Sequence, residues 1–463
     1  MLPGSSLPAA SSVPVRITEG CLPRMWEGKS AVFFANLLSM FFTNDSERRA
    51  LQEAITFPES YGARLLPILN LLFPKARNLA ILERGPDPDL CAYLSTVLGL
   101  ELPEVRVLGH ADYLPLGAED AGGLSERDWE WIRQLREHPA GVVDGFVTDP
   151  VLSRVAERAG KRTLSTVAGS HRGNNKFLLH HHAASIGLPV FETRIAASAG
   201  EVAGCLESLK REGYRCAAIK SQIGASGVGL MKMAMDEAGD LVLPDLFFHE
   251  GPCLVQGWLE VGRHGVTEIT SPSVQMFLDD ESVQLYDLTE QILSHDSVHE
   301  GNESPPPGGD PGIHSVLFEQ AGEAGRWLHQ QGYRGTASAD FLVTRTARGL
   351  TAYLCEINAR LTGATYPSLL ARHFTPGGGW LMRNLKLAQP TTGLTLLRLL
   401  EDHGHLYLPG TNSGILPINF VLNPDDLVEK GQFLCLGRTQ GRRHEMLENA
   451  ERDLPIDWSY VRD

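Results

Sequence analysis

The chain has 463 residues, 43% of them hydrophobic and 21% charged, with a formal net charge of −15. This is an ordinary globular composition, long enough for roughly two or three domains. The acidic balance argues against a nucleic-acid partner, which would need clustered Lys and Arg, although a locally positive cleft can still take an anionic nucleotide.

Residues 1–15 are rich in Pro, Ser and Ala. They lack the basic start and long apolar core of a signal peptide and are expected to form a flexible leader. The run AVFFANLLSMFF, residues 31–42, is too short and interrupted to span a bilayer. No membrane partner is expected. The seven cysteines are scattered, odd in number and without a C-x-x-C pair. They fit reduced thiols in a soluble, cytoplasmic protein and argue against zinc.

Residues 76–83 and 104–109 read as short buried strands. Between them Leu90, Tyr93, Leu94 and Val97 recur at helical spacing, and residues 141–149 supply another strand. Strand, helix, strand at this spacing predicts a parallel sheet. A second region begins near Leu164. A helix is expected over residues 175–186, ended by Gly187 and Pro189. A strand, VFETRI, follows, then a helix with Val202, Leu206 and Leu209 inward and Gly213 at its end.

Next comes AAIKSQIGASGVGL. Lys220 ends an apolar strand, and Gly224, Ser226, Gly227 and Gly229 follow. Glycines let backbone N–H groups approach phosphate oxygens, and the lysine supplies charge. No G-K-[ST] closes the loop, so it is not a P-loop. The chain returns to a β-prone run rather than a helix, so it is not a dinucleotide fingerprint. What remains is a glycine-rich hairpin, either plain or folded over a nucleotide. Lys176, at a helix start, is either solvated or a phosphate contact. In PCLVQGWLEVG the backbone from Gln256 to Leu259 can read an adenine edge, with Trp258 and Leu259 flanking the base or filling a core. Glu260 or Glu268 can accept from ribose hydroxyls.

Residues 301–313 are Pro- and Gly-rich and read as a mobile loop. A helix follows, with Leu317, Ala321, Ala324 and Leu328 inward. Two β-prone runs, residues 336–343 and 351–358, flank a short polar turn and predict an antiparallel hairpin. The hairpin brings Asp340 near Glu356 and Asn358. Glu356, Asn358 and Arg360 alternate, so their side chains share a face. Carboxylates and an amide oxygen suit Mg²⁺, and a guanidinium beside them suits phosphate. The plain alternative is a solvated hairpin with Glu356 paired to Arg360. Beyond residue 391 a strand is expected near residues 414–423 and a helix over 423–434.

The order Lys176, Lys220 with its glycine loop, the Gln256–Glu260 hinge, Asp340, then Glu356-x-Asn358-x-Arg360 resembles the ATP-grasp superfamily of carboxylate–amine ligases. The resemblance covers close to half the chain. It implies an α/β (α+β) fold: an N-terminal α/β domain at residues 16–163, an ATP-grasp domain at 164–390 with a lid-type subdomain near 190–260, and a small C-terminal domain at 391–463. It implies ATP as the nucleotide, with Lys176 and Lys220 on its phosphates and Gly224, Ser226 and Gly227 in the covering loop. The backbone of Gln256, Trp258 and Leu259 would bind adenine, and Asp340, Glu356 and Asn358 would hold two Mg²⁺ ions. Lys220 and Arg360 are the expected catalytic residues. One departure is Gln256, where the superfamily often has Glu; its side-chain carbonyl can still accept from the adenine amine.

The layout is similar to peptide ligases of peptide-antibiotic biosynthesis. This implies an amino-acid-like carboxylate, such as a guanidino phenylglycine, joined to a peptide amine through an acyl phosphate. A homodimer is a common state among such relatives. A free amino acid, small amine or thiol as acceptor, and a non-catalytic nucleotide-binding scaffold, are the rival readings. His171, His295 and His299 are candidate bases by chemistry alone. The consecutive His180 to His182 point in different directions and make a poor metal site.

Overall fold

A computed structural model describes residues 13–42, 45–54, 57–225, 227–236, 243–293, 299–453 and 458–460. Three sheets organise them. The first has five parallel strands in the order Glu104–Val107, Leu79–Leu82, Ala31–Phe34, Val142–Gly145 and Arg162–Thr163. Ala31–Phe34 is its central strand. Read from sequence only as an apolar run, it is buried at all four positions. A parallel strand covered on both faces has no alternation to betray it. Connecting helices are well capped: Asp149 accepts from Leu152 N at the start of Pro150–Arg158, and Ser125 and Asp128 form a capping box on Glu126–Glu137.

The second sheet is antiparallel, in the order Thr193–Ala196, Cys253–Gly257, Cys216–Ala225 and Val228–Ala234. Helix Ala199–Arg211 packs on it through Val202, Leu206 and Leu209. The third sheet has eleven strands, with Gly335–Thr346 paired on one side to Pro272–Leu278 and on the other to Gly349–Asn358. Helix Pro311–Gln330 covers one face and buries Leu317, Ala321, Ala324 and Leu328, as its spacing predicts.

Several expectations are corrected. Within the expected leader, Val15 opens a strand, Val15–Ile17, that pairs in parallel with Val283–Leu293. The start of the expected mobile loop, residues 301–304, belongs to the strand His299–Ser304, and its end to a helix that starts at Pro311. The expected helix at 423–434 is a hairpin turn followed by the strand Val428–Leu436: Asn423 N donates to Leu427 O, Leu427 N donates to Asn423 Oδ1, and Asp426 has φ 59°. That strand pairs with both Gly414–Leu422 and Trp380–Thr391. The chain beyond residue 391 therefore extends the large sheet. It also shares a core with the parallel-sheet unit, where Tyr93 Oη donates to Tyr407 O at 2.6 Å and Arg84 Nη1 to Leu422 O at 2.7 Å. Among the described residues no helix is long and apolar enough to cross a membrane.

Candidate active site

The hairpin Gly335–Thr346 and Gly349–Asn358 turns at residues 347–348, and its register sets Asp340 opposite Glu356 and Ser338 opposite Asn358. The two carboxylates thus share one face. Asp340 is held by neutral donors: Ser273 Oγ at 2.6 Å, Ser338 Oγ at 3.1 Å and Asn358 Nδ2 at 2.8 Å. Burial, then the Glu356 charge, push its carboxyl up to about 6. Burial also acts to raise Glu356, but the charges of Lys176, Arg360 and Lys220 outweigh it and hold this carboxyl below its ordinary range.

Lys176, first residue of helix Lys176–Ser185, places Nζ 2.9 Å from Glu356 Oε2 and donates to Gly224 O at 3.2 Å. It therefore ties the hairpin to the glycine turn. Gly224 is required there by space, since a Cβ would lie 2.5 Å from Val228 O. Gly227 sits at φ 82° in the turn, a conformation L side chains rarely adopt. Ser226 lies outside the described residues. Lys220 Nζ stands 5.5 Å from the Phe191 ring centroid, in cation–π contact. Burial lowers the pKa of Lys220 and of Arg360. Arg360 Nη1 donates to Asn174 Oδ1, which also accepts from Ala359 N at 3.2 Å.

Three cations and two carboxylates therefore meet under the antiparallel sheet, and within this group of five Lys176 pairs with Glu356. Spare positive charge suits a polyphosphate, while Asp340, bonded only to neutral donors, suits a divalent cation. Among the described residues no group of three His, Cys, Asp or Glu side chains could hold a metal. The candidate set is two carboxylates and an amide, which suits Mg²⁺ with substrate phosphates completing its shell.

No family model matches the chain, and no curated protein matches it in sequence. Solved structures do match in fold. The ADP complex of an N5-carboxyaminoimidazole ribonucleotide synthetase is 14% identical, with a TM-score of 0.54, covering 96% of this chain and 98% of that one. The synthetase of Thermus thermophilus is also 14% identical, with a TM-score of 0.54, covering 92% and 98%. The biotin carboxylase domain dimer of the Hydrogenobacter thermophilus 2-oxoglutarate carboxylase, solved with MgADP, ADP and bicarbonate, is 11% identical. Its TM-score is 0.56, covering 94% of this chain and 92% of that one. The chain has the ATP-grasp fold.

At the hinge of this ATP-grasp fold the geometry is narrower than the sequence reading. Gln256 pairs with Thr193 and Ala218, and its Nε2 donates to Thr193 Oγ1 at 3.1 Å, so the side chain is held within the antiparallel sheet. Gly257 N and Trp258 N are engaged by Glu192 O and Cys216 O. Trp258 is half-buried, with Lys232 Nζ 4.6 Å from its ring centroid. Leu259 and Glu260 are half-buried, and Glu260 O accepts from Arg263 N. Of the two carboxylates open for ribose, Glu268 is paired to Arg345 at 2.8 Å on the opposite face of the large sheet. Glu260 is the one left.

His171 bonds Glu250 at 2.9 Å, and His299 bonds Asn302 at 2.6 Å, with burial pushing its pKa down. His295 lies outside the described residues. His182 stacks on Trp327 at 5.5 Å while His180 and His181 stand 5.9 Å apart, so the triplet diverges. Sequence reasoning missed Ser273 and Asn174, which orient Asp340 and Arg360. It also missed Asn175, whose Nδ2 donates to Gln222 Oε1 at 2.8 Å while Gln222 donates to Pro252 O at 3.0 Å. These partners are remote in sequence, and no local motif announces them.

Proposed function

We propose that this protein is an ATP- and Mg²⁺-dependent carboxylate–amine ligase that joins an amino-acid-like acid to the N-terminal amine of a peptide. The reaction runs through an acyl phosphate and releases ADP and phosphate. One observation carries this reading: Lys176, Lys220 and Arg360 gather with Asp340 and Glu356 beneath a glycine turn, a set of charges that suits a triphosphate and its metal.

Asp340, Glu356 and Asn358 would hold the two Mg²⁺ ions, which neutralise charge on the β- and γ-phosphates. Lys176 and Lys220 bind the remaining phosphate oxygens. On nucleotide binding Lys176 exchanges Glu356 for phosphate. Leu259 offers its backbone, and Trp258 its ring, to the adenine, and Glu260 accepts from the ribose. Arg360, aimed by Asn174, meets charge that develops as the substrate carboxylate takes the phosphoryl group and as the amine then attacks. The turn at Gly224 to Gly227 excludes water from the acyl phosphate. Asn174 and Ser273 are positioning residues.

The peptide acceptor rests on the resemblance of the segments around Asn175 and Glu356 to peptide ligases. The test is ADP release and product mass across a matrix of acids, including a guanidino phenylglycine, against peptides, free amino acids, small amines and thiols. The expected result is ADP release that needs both acid and Mg²⁺, with a product equal to acid plus peptide minus water. ADP release with bicarbonate in place of any organic acid would favour a carboxylase, as the bicarbonate-bound neighbour indicates for itself. No carboxylate-dependent ADP release would leave a nucleotide-binding scaffold.

A further inference from the structure

On the face of the large sheet opposite Asp340, a cavity of about 480 Å³ opens where helix Pro311–Gln330 begins. The register places it there. Pro272 pairs with Glu290, Thr270 with Val343 and Glu268 with Arg345, all lining the cavity, whereas Ser273 pairs with Asp340. Neighbouring strand residues face opposite sides. The cavity is therefore separate from the nucleotide cleft, and nothing in the ligase reading occupies it.

Its inner wall is apolar: Leu288, Leu317 and Val343 from the core beneath the helix, and Ile313 and Leu350 beside them. Its polar side chains are Glu268, Glu290 and Asp310, with Thr270, His314 and Arg345; His314 is engaged by Glu19 at 2.9 Å. Glu268 is matched by Arg345 at 2.8 Å. Asp310 caps the helix, accepting from Gly312 N at 2.8 Å. Glu290 accepts one bond, from Ser271 N at 2.5 Å, and no cation among the described residues pairs with it. Its strand neighbour Glu303 is already matched by Arg443 at 3.2 Å. Burial, with Glu268 and Glu303 adding to it, pushes the Glu290 carboxyl up to about 7. A carboxyl this enclosed and without a counter-ion is a place where an incoming positive charge is stabilised.

We propose that the cavity binds a small organic cation, with an ammonium or amidinium group on Glu290 and an apolar body against Leu288, Leu317 and Val343. The volume lies in the range of pockets that enclose small organic ligands, about 300–1,000 Å³. A simple metal ion finds one free carboxylate and an apolar wall there, which is a poor donor set. An anion meets surplus acid. The proposal does not rest on the ligase reading and can fail without it.

The test is calorimetric titration of the full chain with benzamidine and with benzamide, its neutral near-isostere. Benzamidine is expected to bind with Kd near or below about 1 mM, and benzamide about tenfold more weakly. Glu290→Gln should weaken benzamidine about tenfold and erase the preference over benzamide. Ile313→Trp, which fills the cavity from the helix's first turn, should abolish binding and serves as the second variant if Glu290→Gln does not fold. Equal affinity for the two compounds, no benzamidine binding, or unchanged affinity in a folded Glu290→Gln or Ile313→Trp protein would each overturn the proposal.

Discussion

Asp287 and Asp340 lie on strands separated by one neighbour in the same sheet, yet their surroundings are opposite in kind. Asp287 is fully buried and closed. Arg372 Nη2 donates to it at 2.7 Å, Ser304 Oγ at 2.8 Å and Trp380 Nε1 at 3.1 Å, with Ser368 completing the set. One carboxylate meets one guanidinium, and every donor comes from an element that builds the core. Asp340 is half-buried, faces a second carboxylate and has only neutral donors, while Lys220 and Arg360 stand close without pairing to it. A matched charge pair in the core is a structural part. Charges gathered without being matched are poised for a ligand of both signs, such as a metal–nucleotide complex.

The comparison breaks first on Glu356→Ala. ADP formation should fall about 10³-fold with the fold intact by circular dichroism; full retained activity would remove the metal assignment. Asp287→Asn should do the reverse, leaving Arg372 buried without a counter-ion at a cost of about 3–5 kcal/mol in urea unfolding. An unchanged unfolding midpoint would show that the pair is not structural. Arg360→Ala and Lys220→Ala sharpen the account of the cleft. The first should slow turnover about 10²-fold at nearly unchanged ATP affinity; the second should weaken ATP binding about tenfold by calorimetry. If the two patterns were exchanged, Arg360 would be a binding group and not one that acts in the transition state.

The smallest effect is on pH. Asp340 is raised to about 6 in the fold, above its unfolded value, so the proton it keeps must leave before a metal binds. Mg²⁺ affinity should therefore drop about fourfold between about pH 7.5 and about pH 5.5. The stability sign is the opposite. A carboxyl raised by folding stabilises the protein while protonated and loses that contribution as pH rises through about 6. Asp340→Asn should consequently raise the melting temperature at pH above that value while destroying metal affinity. A lower melting temperature would contradict the assignment of Asp340 as an unmatched charge.

The hairpin that carries the proposed metal side chains was legible because a hairpin is local. Period-two spacing puts Glu356, Asn358 and Arg360 on one face, and a short turn brings Asp340 back to them. The glycine turn was legible from composition, and the inward face of helix Pro311–Gln330 from its period. What was hidden depends on pairing across long separations. Gln256 is held in its sheet by Thr193, and Glu268 is carried to the far face by Arg345. Ala31–Phe34 carries no alternation, being buried on both faces. Val428–Leu436 was misread because its apolar residues alone cannot tell a buried strand from a helix; its partner strands on both sides decide the matter.

The most direct measurement is a crystal structure of the complex with a non-hydrolysable ATP analogue and Mn²⁺ in place of Mg²⁺, with the metal located by its anomalous signal. The account predicts metal density bridging the triphosphate to Asp340, Glu356 and Asn358, with Lys176 moved from Glu356 onto phosphate. Metal bound away from those three side chains, or a triphosphate that lies outside the cleft between the hairpin and the glycine turn, would contradict it.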